Sequence, residues 1–353
     1  MLLGLVKYNS CILDLIMDYL RYLQGLHIMK DETMAELINT SNYGQTLEGY
    51  KDLLNQSIIN IAPDFSQDFL LSVLPSYWQE WILPLVGGPF LLLFLAEWFY
   101  QSKRGQGDNF TLRRAVTNFS LGGSYLGFEL IVQALVVIPI CLWLYQYRLF
   151  TIEVTWLTFI PIFIAVEFCY YWFHRASHRV NWFWSAHVLH HSDDRMNLST
   201  AMRQSLLYSV TGWWVFFLPL MLLGVHPVWV FFFYALDLIY QFFIHTETVG
   251  KFPKWVEYIF DTPSNHRAHH GANGEYIDKN YGGVIIIFDR MFGTYVEEDR
   301  INNPVKYGAV GEPSHDNIFH LIFDVFIRMW KRFFKAKGFK NKLGAFFRPP
   351  SAN

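Results

Sequence analysis

The chain is poor in cysteine and in charge. Its 353 residues include three cysteines, Cys11, Cys141 and Cys169. They form no CxxC pair, and each lies in or beside an apolar segment. That disfavours a disulfide framework and a cysteine-ligated metal site, and leaves each thiol as a small core hydrophobe. Charged residues make up only 16%, against about 25% in an average soluble domain. The formal net charge is −2, so there is no global basic field and no nucleic-acid partner is expected. Internal repeats and low-complexity runs are absent as well.

What replaces charge is apolar and aromatic surface. Hydrophobic residues reach 52% and aromatics 19%, with 33 Phe, 20 Tyr and 13 Trp. This is the composition of a membrane protein with aromatic belts. Four stretches are long and apolar enough to cross a core about 30 Å thick: Trp81 to Tyr100, Phe119 to Tyr145, Trp156 to Phe173, and Leu206 to Ile244. Pro84, Gly87, Gly88 and Pro89 are expected to kink the first near its start. The last would be nearly twice too long as one helix, and Gly224-Val225-His226-Pro227 is expected to fold it into two antiparallel spans, with His226 structural. The expected architecture is all-α, an integral-membrane helical bundle of four or five spans.

Residues 1–76 hold four Lys/Arg against nine Asp/Glu and read as a polar or interfacial segment, with an amphipathic helix over Leu2 to His27. Residues 77–300 form the membrane domain. Residues 301–353 form a basic tail whose part from Asn317 to Phe347 alternates apolar residues with Arg328, Lys331, Arg332, Lys335 and Lys337. The tail reads as an interfacial helix facing anionic headgroups, in preference to a solvated helix packed on the domain. Counting Lys and Arg in the short loops puts the loop 101–117, the segment 174–204 and everything after His245 on the cytoplasmic side.

Three histidine blocks lie on that side. They are His174 and His178; His187, His190 and His191; and His266, His269 and His270. On a helix, spacings of i, i+4 and i, i+3, i+4 share one face. Eight imidazoles exceed the four ligands of one tetrahedral ion and suit two ions at about four nitrogens each. Burying so many imidazoles without partners would cost on the order of a kcal/mol or more apiece, so packing alone does not explain them. His245 leaves the membrane one helix before the third block and is a ninth candidate ligand. Glu167, two turns before His174, is expected to hold a ligand histidine or to pair with a neighbouring span. Asp278 and Lys279 are expected to support the site. Imidazole-rich sites suit iron, zinc, copper or nickel, and spacing alone does not choose among them.

The spacing H-x3-H, H-x2-H-H and H-x2-H-H resembles the fatty acid hydroxylase and sterol desaturase superfamily of integral-membrane di-iron oxygenases, from about residue 85 to 300. Asn197 to Ser205, Gln241 to Glu247, Thr262-Pro263-Ser264 and Ile277 to Gly283 resemble the alkylglycerol monooxygenases and their bacterial relatives. Arg179 departs from that pattern, since the animal enzymes carry an acidic residue after the second histidine of the first block. The departure bears on the pterin and the ether substrate more than on the metal site. The resemblance implies two iron ions, dioxygen, a lipid substrate and an external reductant, tetrahydrobiopterin in the alkylglycerol family. No haem, flavin or Rossmann fingerprint is present, which fits an external electron donor. It implies hydroxylation beside an ether oxygen. A sterol or fatty acid hydroxylase or desaturase is the enzymatic alternative, and a non-catalytic zinc-binding membrane scaffold is the alternative of another class. Arg175, Arg179, Lys251 and Lys254 flank the blocks and are candidate headgroup contacts.

Overall fold

The computed structural model describes residues 76–105, 110–312 and 317–350, with side chains from Gly87 onward. The expected N-terminal segment, apart from Ser76, and the helix over Leu2 to His27 lie outside these residues. The site lies entirely within the compact unit Pro89–Asn353. The described residues are helical and contain no strand, only isolated bridges such as Ile152 with Val225.

Helix α1, Ser76–Lys103, runs without interruption through the Pro84–Pro89 stretch. Helix α2, Leu112–Val132, begins at Thr111, whose hydroxyl accepts from the Arg114 backbone N–H. It continues through a π turn, Gln133–Val137, into α3, Ile138–Tyr145. Pro139 cannot donate to the helical ladder, and the wider turn just before it absorbs that defect. Together these make a 34-residue apolar rod, Leu112–Tyr145. The third expected span is α4, Phe159–Arg179, which carries His174 and His178 in its last two turns.

Leu206 to Leu223 departs from expectation, because it is not a continuous helix. It is α6, Leu207–Thr211, then a tight 3-10 turn, Trp213–Phe217, then α7, Leu218–Leu223. Gly212 takes a left-handed φ of 86° between the first two, and Pro219 opens the third. The expected reversal after Leu223 is present. Gly224 has φ 116°, and a Cβ there would lie 2.2 Å from the Phe150 carbonyl oxygen, so only glycine fits. His226 caps α8, Pro227–Ile244, by accepting from the Val228 N–H, which is the structural role expected of it. Helices α2, α3, α4, α7 and α8 enclose the main core, centred on Val166, Trp213, Phe217, Met221 and Phe233.

Three short helices follow: α9, Lys254–Ile259; α10, Pro263–His269; and α11, Ile287–Met291. Helix α12, Ile318–Lys335, lays Ile322 and Met329 inward and packs Phe326 and Trp330 against Trp182; α13, Phe339–Phe347, adds Phe346 to the same aromatic group. One face of the tail thus packs on the domain, while Phe334, Phe339 and Phe347 remain exposed.

Candidate metal centre

The site is built where α4 meets α5, Asn181–His191. Only Val180, in extended conformation, separates these helices, so the chain turns sharply there. The turn brings His174 and His178 against His187 and His191. On the other side, α8 ends at His245, and α10 supplies His266 and His269 with His270 as its cap. All nine predicted histidines are buried.

The nine fall into two groups. One contains His174, His178, His187, His191 and His269; the other contains His190, His245, His266 and His270. Within each group the candidate ligand atoms all lie within 4.8 Å of one another. The division cuts across the sequence blocks. Helix α5 sends two histidines to the first group and one to the second, while the third block does the reverse.

The outer nitrogens of the rings are held from behind. Nδ1 of His174 donates to the Tyr281 carbonyl at 2.9 Å, that of His245 to the Gln241 carbonyl at 2.6 Å, and that of His269 to the Lys279 carbonyl at 2.9 Å. A carbonyl can only accept, so in each of these three neutral rings Nε2 is a bare lone pair. His266 Nδ1 lies 3.0 Å from the Asp261 carboxylate, and His187 Nδ1 contacts the Tyr208 hydroxyl.

All these lone pairs point inward. Nε2 atoms approach each other at 3.0 Å (His174 and His187), 3.1 Å (His187 and His191), 3.1 Å (His190 and His245), 2.9 Å (His245 and His266) and 3.2 Å (His266 and His270). Nε2 of His178 and of His269 is buried with no hydrogen-bond partner. Burial, and then in most of these rings the neighbouring imidazoles, holds all nine below the usual histidine range, with His245 and His269 lowered to about 4. The inward Nε2 atoms, three of them bare lone pairs and two without any hydrogen-bond partner, are not satisfied by one another, and a cation in each group would satisfy them. The donor set therefore fits two metal ions.

Sequence reasoning missed most of the supports. Asp261 is fully buried, and burial and other carboxylates push its carboxyl up. A cation among the histidines would oppose that shift and favour the ionised form that accepts from His266. Asp289 ties down the supporting loop by accepting from the N–H groups of Tyr281 and Gly282 and from Thr294, and burial lifts its carboxyl to about 6. Arg267 points away from the histidines, pairs twice with buried Glu298, and donates to the carbonyls of Thr246 and Val249. It thereby fixes α10 to the segment following His245.

The three predicted supports act in different ways. Glu167 makes no hydrogen bond to a histidine. Its carboxylate accepts from the N–H groups of Val284 and Ile285 and lies against Asp237 on α8, so it pairs with a neighbouring span and steadies the supporting loop. Asp278 sits at φ 60°, pairs with Arg179 at 2.8 Å, and approaches His178 Nδ1 at 3.9 Å. Lys279 supports His269 through its carbonyl, not its ammonium.

A cavity of about 470 Å³ reaches the centre, and His178, His191, His269 and His270 are among the residues that line it. Of the four cations expected beside the histidine blocks, Arg175, Arg179, Lys251 and Lys254, none lines this cavity. Arg175 donates to Tyr171, Arg179 pairs with Asp278, and Lys251 pairs with Glu297. The guanidinium groups that do line it, Arg328 and Arg332, come from the tail.

Comparison with known proteins agrees with the histidine pattern. Residues 159–294 match the fatty acid hydroxylase family. The chain is 41% identical to alkylglycerol monooxygenase of Homo sapiens over 210 residues, covering 58% of this chain and 45% of that protein. It is 32% identical to the Caenorhabditis elegans alkylglycerol monooxygenase over 268 residues, 72% of this chain and 48% of that protein. An ornithine lipid hydroxylase of Rhizobium tropici is 29% identical over 132 residues. The chain thus spans somewhat under half of the alkylglycerol monooxygenases it matches. No solved structure matches.

Proposed function

We propose that this chain, which belongs to the fatty acid hydroxylase superfamily through residues 159–294, is a membrane-bound di-iron monooxygenase that hydroxylates a lipid, beside the ether oxygen of an alkylglycerol-type substrate. The observation that carries the reading is the five-plus-four division of buried, inward-pointing Nε2 atoms.

Iron is assigned by resemblance to the fatty acid hydroxylase superfamily, because an imidazole donor set by itself suits zinc, copper and nickel as well. When bound, iron would supply the dioxygen activation that zinc, with no redox chemistry, cannot.

The protein's own part is to hold and to exclude. Backbone carbonyls fix the tautomers of His174, His245 and His269. Asp261 does the same for His266, and the loop from Asp278 to Tyr281 closes over the first group. Burial keeps bulk water from the histidines, while the cavity lets one end of a substrate reach them.

Membrane residence is supported by where apolar surface is left. Leu112–Tyr145 and Pro227–Ile244 are long and apolar enough to cross a bilayer, and only 22% of the most apolar window of the first is buried. A core helix of a soluble protein would bury most of that surface. Trp156 and Leu157 are 96% and 88% exposed, which suits contact with lipid. We place the histidines on the cytoplasmic side by the distribution of Lys and Arg, and assign tetrahydrobiopterin as reductant by resemblance to the alkylglycerol family.

Metal analysis of the purified protein, joined to lipid mass spectrometry under oxygen, tests the reading. The expected result is two iron per chain and an oxygen-dependent aldehyde released from an alkylglycerol. Two zinc with no oxygen-dependent product would replace it with the scaffold reading. Hydroxylation or unsaturation far along an acyl chain would replace it with the fatty acid alternative.

A further inference from the structure

We propose that the exposed side of the tail, α12 with α13, is a docking surface for a lipid bilayer that carries anionic headgroups. This rests on the reading of the chain as membrane-bound and names a second, charge-selective contact with the same bilayer.

The charge of the tail is one-sided. From Val325 to Asn353 the chain carries eight Lys and Arg and no Asp or Glu. Arg328 is held by Glu312 and, at 3.1 Å, by Asp324. Among the described residues no carboxylate pairs with any of the other seven. The partners they do find are neutral: Arg348 donates to Asn341, and Lys342 lies over the Phe333 ring. A cluster of this size and sign is complementary to the anionic groups of a lipid surface.

Large apolar side chains lie among these cations. Ile322 and Met329 turn toward the domain. Ile327, Lys331 and Phe334 follow one another at i, i+4 and i+7, so they share a different flank of α12, and all three are exposed. Phe334 is 72% exposed; beyond the left-handed turn at Gly338, Phe339 is 77% and Phe347 62% exposed. Nucleic acid would engage the cations and leave these rings in water. A bilayer interface takes both at once, with the rings below the headgroups and the lysine stems reaching back to the phosphates. The apolar rod Leu112–Tyr145 leaves lipid-suited surface elsewhere on the chain, so a bilayer is a partner already at hand. Val325, Arg332 and Pro350 of the tail also line the cavity that reaches the histidines. Docking would therefore seat that part of the cavity wall at the bilayer surface.

Fluorescence quenching of the whole chain in nanodiscs tests this. A thiol-reactive fluorophore is placed at Phe334→Cys or Phe339→Cys, and the unaltered chain labelled in parallel sets the background. The discs are phosphatidylcholine alone, or phosphatidylcholine and phosphatidylserine in equal parts. Acrylamide quenches from water and a doxyl-labelled lipid from the bilayer. With phosphatidylserine present, both positions should lose quenching by acrylamide and gain quenching by the lipid, and high salt should reverse the change. Replacing Lys331, Lys335 and Lys337 together by Gln should abolish the response to phosphatidylserine, with an unchanged melting temperature to show that the variant is folded; reversal by salt tests the same charges without any substitution. Equal quenching in the two lipid compositions, or a response that survives both salt and the Gln variant, would overturn the proposal. Shielding from both quenchers would show cover by protein and overturn it as well. The fluorophore at Leu130→Cys, on α2 and 63% exposed, separates the two readings. Quenching there by the doxyl lipid, with the tail positions open to acrylamide in both compositions, would refute tail docking alone. Quenching at Leu130→Cys by acrylamide alone would refute membrane residence itself.

Discussion

Replacing Asp261 should empty one metal position before the other. The carboxylate is fully buried and lies 3.0 Å from His266 Nδ1. Leucine is similar in size but accepts nothing, so Asp261→Leu leaves a buried imidazole N–H without a partner, at about 1–3 kcal/mol. It also frees the ring to move its proton to Nε2, the nitrogen the metal needs. Loss of such an outer support typically costs about 10–100-fold in metal affinity, or about 1.4–2.7 kcal/mol, so the two estimates agree. His266 belongs to the four-histidine group alone, and Asp261 makes its histidine contact there. Chelator titration of the purified protein should therefore pass through a one-metal plateau, with the first ion leaving at 10–100-fold lower chelator than in the unaltered chain. Equal weakening of both ions, or release unchanged from the parent, would refute the argument that Asp261 orients His266 for a separate position.

Other perturbations follow from the same geometry. His190→Ala and His191→Ala alter neighbouring residues but should each weaken a different ion, read as two distinct chelator profiles. In the metal-free protein, His245 and His269 are lowered to about 4 in the fold and titrate near 6.5 when unfolded. Their contribution is thus present above pH 6.5 and lost as pH falls toward 4, by about 3 kcal/mol each in the limit; a melting temperature unchanged between pH 7 and 4.5 would contradict this. Gly283→Ala would place a Cβ 1.9 Å from Asp237 Oδ1 and 2.9 Å from the Tyr170 ring. It should lower stability by about 1–3 kcal/mol, seen as a reduced melting temperature.

What could be read from the sequence follows the chemistry that restricts residue type. Only imidazole supplies a neutral nitrogen ligand at helix spacing, so the nine histidines stand out in the chain, and the structure gathers all nine. The supports do not stand out, because the carbonyls of Gln241, Lys279 and Tyr281 could belong to any residue. Glu167 shows the limit of face arguments. Its position two turns before His174 leaves open whether it holds a histidine or pairs with a neighbouring span; it lies against Asp237 on α8 and accepts from Val284 and Ile285. The apolar run from Leu206 to Leu223 reads as a span by composition. Gly212 and Pro219 instead break it into short turns, which a hydropathy window averages away.

The paired histidines are the least ambiguous sign of two centres, for a reason of helix geometry. With 3.6 residues per turn, consecutive side chains leave a helix about 100° apart. His190 and His191 therefore diverge, as do His269 and His270, with ring centroids 5.5 Å and 5.2 Å apart. Each dipeptide sends one ring to each group. Residues i and i+4, by contrast, stay together: His187 with His191, and His266 with His270. One helix from each block thus straddles both positions and fixes the distance between them through backbone that cannot stretch. Arg267, locked to Glu298 and to the carbonyls of Thr246 and Val249, extends that rigidity to His245. The spacing between the two histidine groups is therefore a property of α5 and α10, and not of flexible side chains.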